Sequence, residues 1–146
     1  FSHADRKPDH NGFQILQDAL DNVDVLIGHN IKFDISWLRD CGFVFNNHLY
    51  DTMVAEYILA SARRWPLGLK AVAEKYGTEK KKDLVDDYMK KGITFYDIPW
   101  DIIEEYGIAD VEATERVALA QLEAFGTTFE ELYNEPTTFA HTATVV

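Results

Sequence analysis

The apolar residues Phe13, Leu16, Ala19 and Leu20 recur three and four positions apart, which predicts an amphipathic helix over 12–22. Turn chemistry at Asp9-His10-Asn11-Gly12 precedes it. Val23-Asp24-Val25-Leu26-Ile27 reads as a short buried strand, ended by Gly28. Asn30 is a good N-cap for a helix over Ile31–Cys41, which Gly42 closes. Phe43–Phe45 is a second strand-like stretch. Asp51 is an N-cap candidate for a helix over 51–62, and Pro66-Leu67-Gly68 then breaks the chain. Leu69–Tyr76, stopped by Gly77, and Lys82–Lys90, before Gly92, read as shorter helices. Asp97 or Pro99 opens a long helix to about Phe125, and Gly126 ends it. From Thr127 the pattern is poor, and Pro136 interrupts it. A helix-rich chain with a few short strands fits an α/β sheet flanked by helices. The strands are too few for a complete sheet, so an element is expected on the N-terminal side.

Composition narrows the class. A chain of 146 residues, 47% hydrophobic, is long enough for one domain with one core. Cys41 is the single cysteine, which excludes an internal disulfide and a cysteine-rich zinc site. No apolar run reaches the length of a membrane span, and Phe1 opens neither a signal peptide nor a methionine start. A soluble, cytoplasmic domain is expected, cut from a longer chain.

The net charge of −11 argues at first against a nucleic-acid coat protein, because those are usually basic. The distribution changes that picture. Residues 1–62 carry 4 bases and 9 acids, residues 63–91 carry 9 bases and 5 acids, and residues 92–146 carry 1 base and 11 acids. A basic segment between two acidic ones is either a set of solvated helix faces or a partner-facing surface.

Three carboxylates stand out. Asp34 falls in the first turn of the helix that follows Gly28-His29-Asn30, a rigid place to hold a functional group at a sheet edge. Trp37 and Leu38 share its face, so a buried Asp34 would need a partner such as a metal ion; an exposed one would simply favour the helix dipole. Asp110 follows Tyr106 by four residues, on one helix face, where a carboxylate and a phenol can serve one site or be ordinary neighbours. Asp51 is accounted for by its capping role.

In order and in context the three are specific. Residues 24–125 resemble the 3′–5′ exonuclease domain of the DEDD (DnaQ-like) superfamily, within the ribonuclease H-like fold. Gly28-His29-Asn30-Ile31-Lys32-Phe33-Asp34 looks like its second motif, and Tyr106-Gly107-Ile108-Ala109-Asp110 like its third, in the tyrosine-bearing version. Leu49-Tyr50-Asp51-Thr52-Met53 is similar to the stretch between them, and Asp97-Ile98-Pro99-Trp100-Asp101-Ile102 looks most like the proofreading domain of phage-type family A DNA polymerases. The resemblance divides the chain into a partial exonuclease domain at 1–126 and a tail or connector at 127–146. It implies two divalent ions, Mg²⁺ or Mn²⁺, with Asp110 a direct ligand and Asp34 acting through metal-bound water. Tyr106 would position the nucleophilic water. His29 and Asn30 would shape the turn beside a single-stranded or frayed DNA 3′ end. Phe33, Trp37 and Trp65 are aromatics that could stack on bases; at helical spacing Phe33 and Trp37 are more often core, whereas Trp65 beside Arg63-Arg64 suits a strand channel. A polymerase domain in the same full-length chain is the implied partner.

One part of the pattern is missing. The family's first motif is Asp-x-Glu on a strand, where residues two apart point the same way. The one match is Asp110-Val111-Glu112, in a predicted helix, where they do not. Truncation is the simplest expectation, with the opening strands before Phe1. The alternatives are a catalytically dead exonuclease-like scaffold or binding module, and a ribonuclease D-like enzyme acting on RNA.

Overall fold

The computed structural model describes residues 10–61, 65–77 and 84–134. Helix α1 (His10–Asp21) leads into strand β1 (Val25–Gly28), and α2 (Lys32–Asp40) leads on to β2 (His48–Asp51). There follow α3 (Thr52–Leu59), α4 (Leu69–Lys75), α5 (Leu84–Lys90), the 26-residue α6 (Trp100–Phe125) and α7 (Phe129–Asn134). The two strands pair in parallel, with Val25 opposite His48 and Gly28 opposite Asp51. The described residues therefore form an α/β unit in which a small parallel sheet carries helices. Among them, no helix is long and apolar enough to cross a membrane.

α6 organises the packing, touching α3, α4, α5 and β1. Ala118 and Leu122 meet Tyr50, Ala55 and Leu132 in the main core, with Val25, Ile27, Phe125 and Phe129 packed around it. One residue before Ala118, and so about 100° around the helix, Val117 joins Val72 and Ala73 of α4 in a second cluster. Gly126 stops the helix in the left-handed region at φ 70°, its N–H returning to Leu122 and Glu123 carbonyls.

A buried polar group lies where α3, α4 and α6 meet. The Glu56 carboxylate is fully buried on α3 and takes hydrogen bonds from Lys75 Nζ, Tyr76 OH (2.8 Å) and Gln121 Nε2 (3.1 Å). Gln121 Nε2 also donates to the Thr52 carbonyl at 2.9 Å, and Tyr50 OH donates to Gln121 Oε1 at 3.4 Å. Burial pushes the Glu56 carboxyl up, but the hydrogen bonds from Lys75, Gln121 and Tyr76 outweigh it and hold the group below its ordinary value. Burial raises the phenols of Tyr50, Tyr76 and Tyr133.

Four local expectations are corrected. The strand expected at Phe43–Phe45 is not there. The Gln17 side-chain amide takes the place of a neighbouring strand, donating to the Val44 carbonyl (2.7 Å) and accepting from its N–H (3.1 Å), while Phe43 stacks on Phe13 at 4.2 Å. The second strand forms five residues later, at His48–Asp51, where each residue finds a partner on β1. Asn30 does not cap α2. It sits in the left-handed region at φ 60°, and Ile31 precedes the helix without a side-chain cap. The turn expected at His10-Asn11-Gly12 is the first turn of α1. Residues 129–134, left unassigned by pattern, form α7. There Leu132 is buried, Tyr133 OH donates to the Leu49 carbonyl (2.7 Å), and the Tyr133 ring stacks on His48.

Candidate active site

The C-terminal ends of β1 and β2 carry most of the recognisable residues. β1 ends at Gly28, where only glycine fits: a Cβ there would meet Ile31 Cγ1 at 2.7 Å. The chain then turns through His29 and the left-handed Asn30 into α2. The His29 ring is held at both nitrogens, with Nδ1 2.8 Å from Thr52 Oγ1 and Nε2 2.7 Å from the Leu67 carbonyl. A carbonyl only accepts, so Nε2 carries a proton. His29 thus ties the turn both to the start of α3 and to the Trp65–Gly68 loop.

Asp51, the last residue of β2, reaches across to the same turn. Its Oδ1 accepts from Asn30 N–H (2.9 Å) and Oδ2 from Ile31 N–H (3.1 Å), and Oδ1 also caps α3 through Met53 N–H (2.9 Å) and Val54 N–H (3.4 Å). The capping was legible in the sequence; the tie across to the turn was not.

Asp34 stands in the first turn of α2 and is exposed. Phe33 and Trp37 lie on the same helix and are 61% and 64% exposed, so the core placement that their spacing favours is corrected. The Lys32 ammonium lies 5.4 Å from the Phe33 ring. Trp65 is also exposed; Arg64 lies outside the described residues, as do Arg63 and Lys80 to Lys82 of the basic segment.

Tyr106 and Asp110 share one face of α6, Tyr106 exposed and Asp110 half-buried. Thr114 Oγ1 donates to the Asp110 carbonyl at 2.7 Å. Gln121 of the same helix is anchored at Thr52, immediately after β2, and Asp110 lies 11 residues away, about 16 Å along the axis. The structure therefore gathers His29, Asn30, Asp51 and the first turn of α2 at one sheet edge, while Tyr106 and Asp110 come from a separate helix anchored to that edge. The donor chemistry of Asp34 and Asp110 suits hard divalent cations, which prefer carboxylate oxygens. The number of donors does not suffice: among the described residues, no group of three or more His, Cys, Asp or Glu side chains is placed to hold a metal ion.

A family model described as 3′-5′ exonuclease matches residues 3–122. The chain belongs to this family. Both motif stretches, 28–34 and 106–110, fall inside the matched span of the exonuclease family. The chain is also similar to the DNA polymerase of Escherichia phage T5, 33% identical over 120 residues, which covers 70% of this chain. It spans 14% of that polymerase's length. No solved structure matches it.

Proposed function

We propose that this chain is the proofreading 3′–5′ exonuclease domain of a DNA polymerase, of ribonuclease H-like architecture, which releases nucleoside 5′-monophosphates from a DNA 3′ end. The observation that carries the reading is the family match over 3–122 with the two motif stretches inside it. The similarity to a DNA polymerase favours DNA over RNA as substrate and a polymerase domain as partner. In this reading residues 1–126 are exonuclease and 127–146 a connector.

Asp34 and Asp110 would be two of the carboxylates of a larger set that holds Mg²⁺ or Mn²⁺, ions that would supply charge stabilisation on the phosphate and an activated water in hydrolysis of this kind. Around them, the Tyr106 hydroxyl orients the attacking water by hydrogen bonding. Asn30, held in the left-handed region, shapes the turn beside the strand end. Phe33, Trp65 and Arg64 take the unpaired strand by stacking and charge. His29 keeps the turn in shape beneath it. Fraying at a mismatch lowers the cost of delivering the 3′ end, which makes the removal selective.

The lack of an Asp-x-Glu strand in the 146 residues favours a second reading, a scaffold without catalysis. A single assay separates the two. The full-length gene product is given a 3′-labelled single strand with Mg²⁺, alongside Asp34→Ala and Asp110→Ala. Nucleotide release that either substitution abolishes supports the enzyme. A wild type that releases nothing with Mg²⁺ or Mn²⁺ supports the scaffold, and retained activity in either variant sinks the site assignment.

A further inference from the structure

The 28–31 turn contains an anion-binding arrangement that the protein fills with its own carboxylate. Asn30 is left-handed at φ 60° and Ile31 right-handed at φ −55°, ψ −19°. Consecutive residues of opposite hand turn their N–H groups to one side and form a concave cradle for an anion. Asp51 occupies it, one oxygen to each amide, at 2.9 and 3.1 Å. The carboxylate is 2% exposed, so these charge-assisted bonds act away from water. A non-glycine residue with positive φ is strained and persists only where its surroundings hold it. Here the holding group is the Asp51 carboxylate. The turn it fixes is the one from which α2 launches, with Phe33 and Asp34 in its first turn.

We infer that Asp51 is a positioning residue: its carboxylate holds the strained Asn30–Ile31 turn and thereby sets where Asp34 stands. The inference rests on the exonuclease reading for its catalytic consequence, though not for its geometry. Asp51 has two separable tasks. It caps α3 through Met53 and Val54, and it reaches across to the turn. A serine at this position still caps a helix but is too short to bridge to the neighbouring turn.

The test is Asp51→Ser in the full-length protein, beside Asp34→Ala. Hydrogen exchange at Asn30 and Ile31 should speed up while the α3 amides at 55–59 stay as protected as in wild type. kcat for single-strand digestion should fall roughly tenfold to a hundredfold, the scale of a misplaced reacting group, with KM for the strand within about twofold. The Mg²⁺ concentration for half-maximal activity should rise, which a general loss of stability would not cause. Unchanged exchange at 30–31 overturns the geometric half. Global unfolding of the variant overturns the claim that the two tasks are separable. If Asp34→Ala is inactive and Asp51→Ser matches wild type, the positioning role alone fails. If Asp34→Ala remains active, the exonuclease assignment fails, and the exchange data still decide whether Asp51 holds the turn.

Discussion

The buried carboxylates Asp51 and Glu56 and the motif carboxylates Asp34 and Asp110 show two uses of one chemical group. Asp51 and Glu56 are 2% and 0% exposed, and each is surrounded by donors: four backbone amides for Asp51, and a lysine, a phenol and a side-chain amide for Glu56. Asp34 is exposed on a first helical turn, and Asp110 is half-buried on α6. A buried charge is tolerated only when its hydrogen-bonding capacity is used up, so the first pair is committed to the fold. The second pair retains access from solvent. The difference predicts opposite phenotypes. Substitution of Asp34 should remove digestion by roughly a thousandfold or more while leaving stability near wild type.

Glu56→Ala should do the reverse and has the largest expected effect on stability. It strands Lys75, Tyr76 and Gln121 without their shared acceptor. Removing one partner of a buried pair costs roughly 3–5 kcal/mol. Lys75 keeps 37% of its side chain exposed, and solvent screens part of the attraction, so about 3 kcal/mol is expected. Urea unfolding measures it, and a loss below about 1 kcal/mol would show that the buried group is not committed to the fold in this way. The same carboxyl shapes acid stability. Its value in the folded protein is lowered from 4.5, so its contribution is complete above that pH and is lost as pH falls through the folded value. Stability of the wild type should therefore drop below about pH 4.5 more steeply than that of Glu56→Gln, read as the urea midpoint across a pH series.

Gly28→Ala probes the junction between the two regions. An added Cβ lies 2.7 Å from Ile31 Cγ1 and 2.9 Å from Ile31 Cβ, and Ile31 is itself buried. Forcing a methyl group into a filled space costs roughly 1–3 kcal/mol. Relief requires Ile31 to move, and Ile31 N–H is one of the two amides on Asp51. A thermal scan should show the loss, and activity should fall by more than the unfolded fraction explains. A variant as stable as wild type would mean that the turn is looser than its packing indicates.

Local signals accounted for the helices and the motifs. Every helix with a clear apolar period or a glycine stop was legible, from Leu69–Tyr76 with Gly77 to the long helix ended by Gly126. The signals failed where a distant residue decides. Gln17 takes up the backbone groups of Val44, 27 residues away, and so keeps an apolar stretch from being a strand. Asp51 holds Asn30 across the sheet, so a residue of good capping type is left-handed instead. α7 has only six residues and owes its place to Tyr133 and Leu132 reaching the sheet and core. Of the site, the spacing within each motif was legible. The second task of Asp51 was not, and neither was the buried group around Glu56, for which a lone acid inside the apolar run Met53–Leu59 is the signal that could have found it.

The smallest expected effect completes the comparison, because it uses the same pair of charges without burial. Lys90 bridges Asp86 one turn back along α5, with side chains 69% and 49% exposed. The Lys75–Glu56 pair has the same donor and acceptor chemistry but a fully buried carboxylate. An exposed ion pair one turn apart on a helix gives at most roughly 0.5 kcal/mol, since water competes for both ends and side-chain entropy opposes the contact. Lys90→Ala should lower the unfolding free energy read from urea denaturation by no more than that, and raising salt from about 0.05 to about 0.5 M, which shortens the screening length, should erase the difference. If Lys90→Ala instead cost as much as Glu56→Ala, charge pairing and not burial would be what stabilises these helices. The distinction drawn between committed and accessible carboxylates would then lose its physical basis.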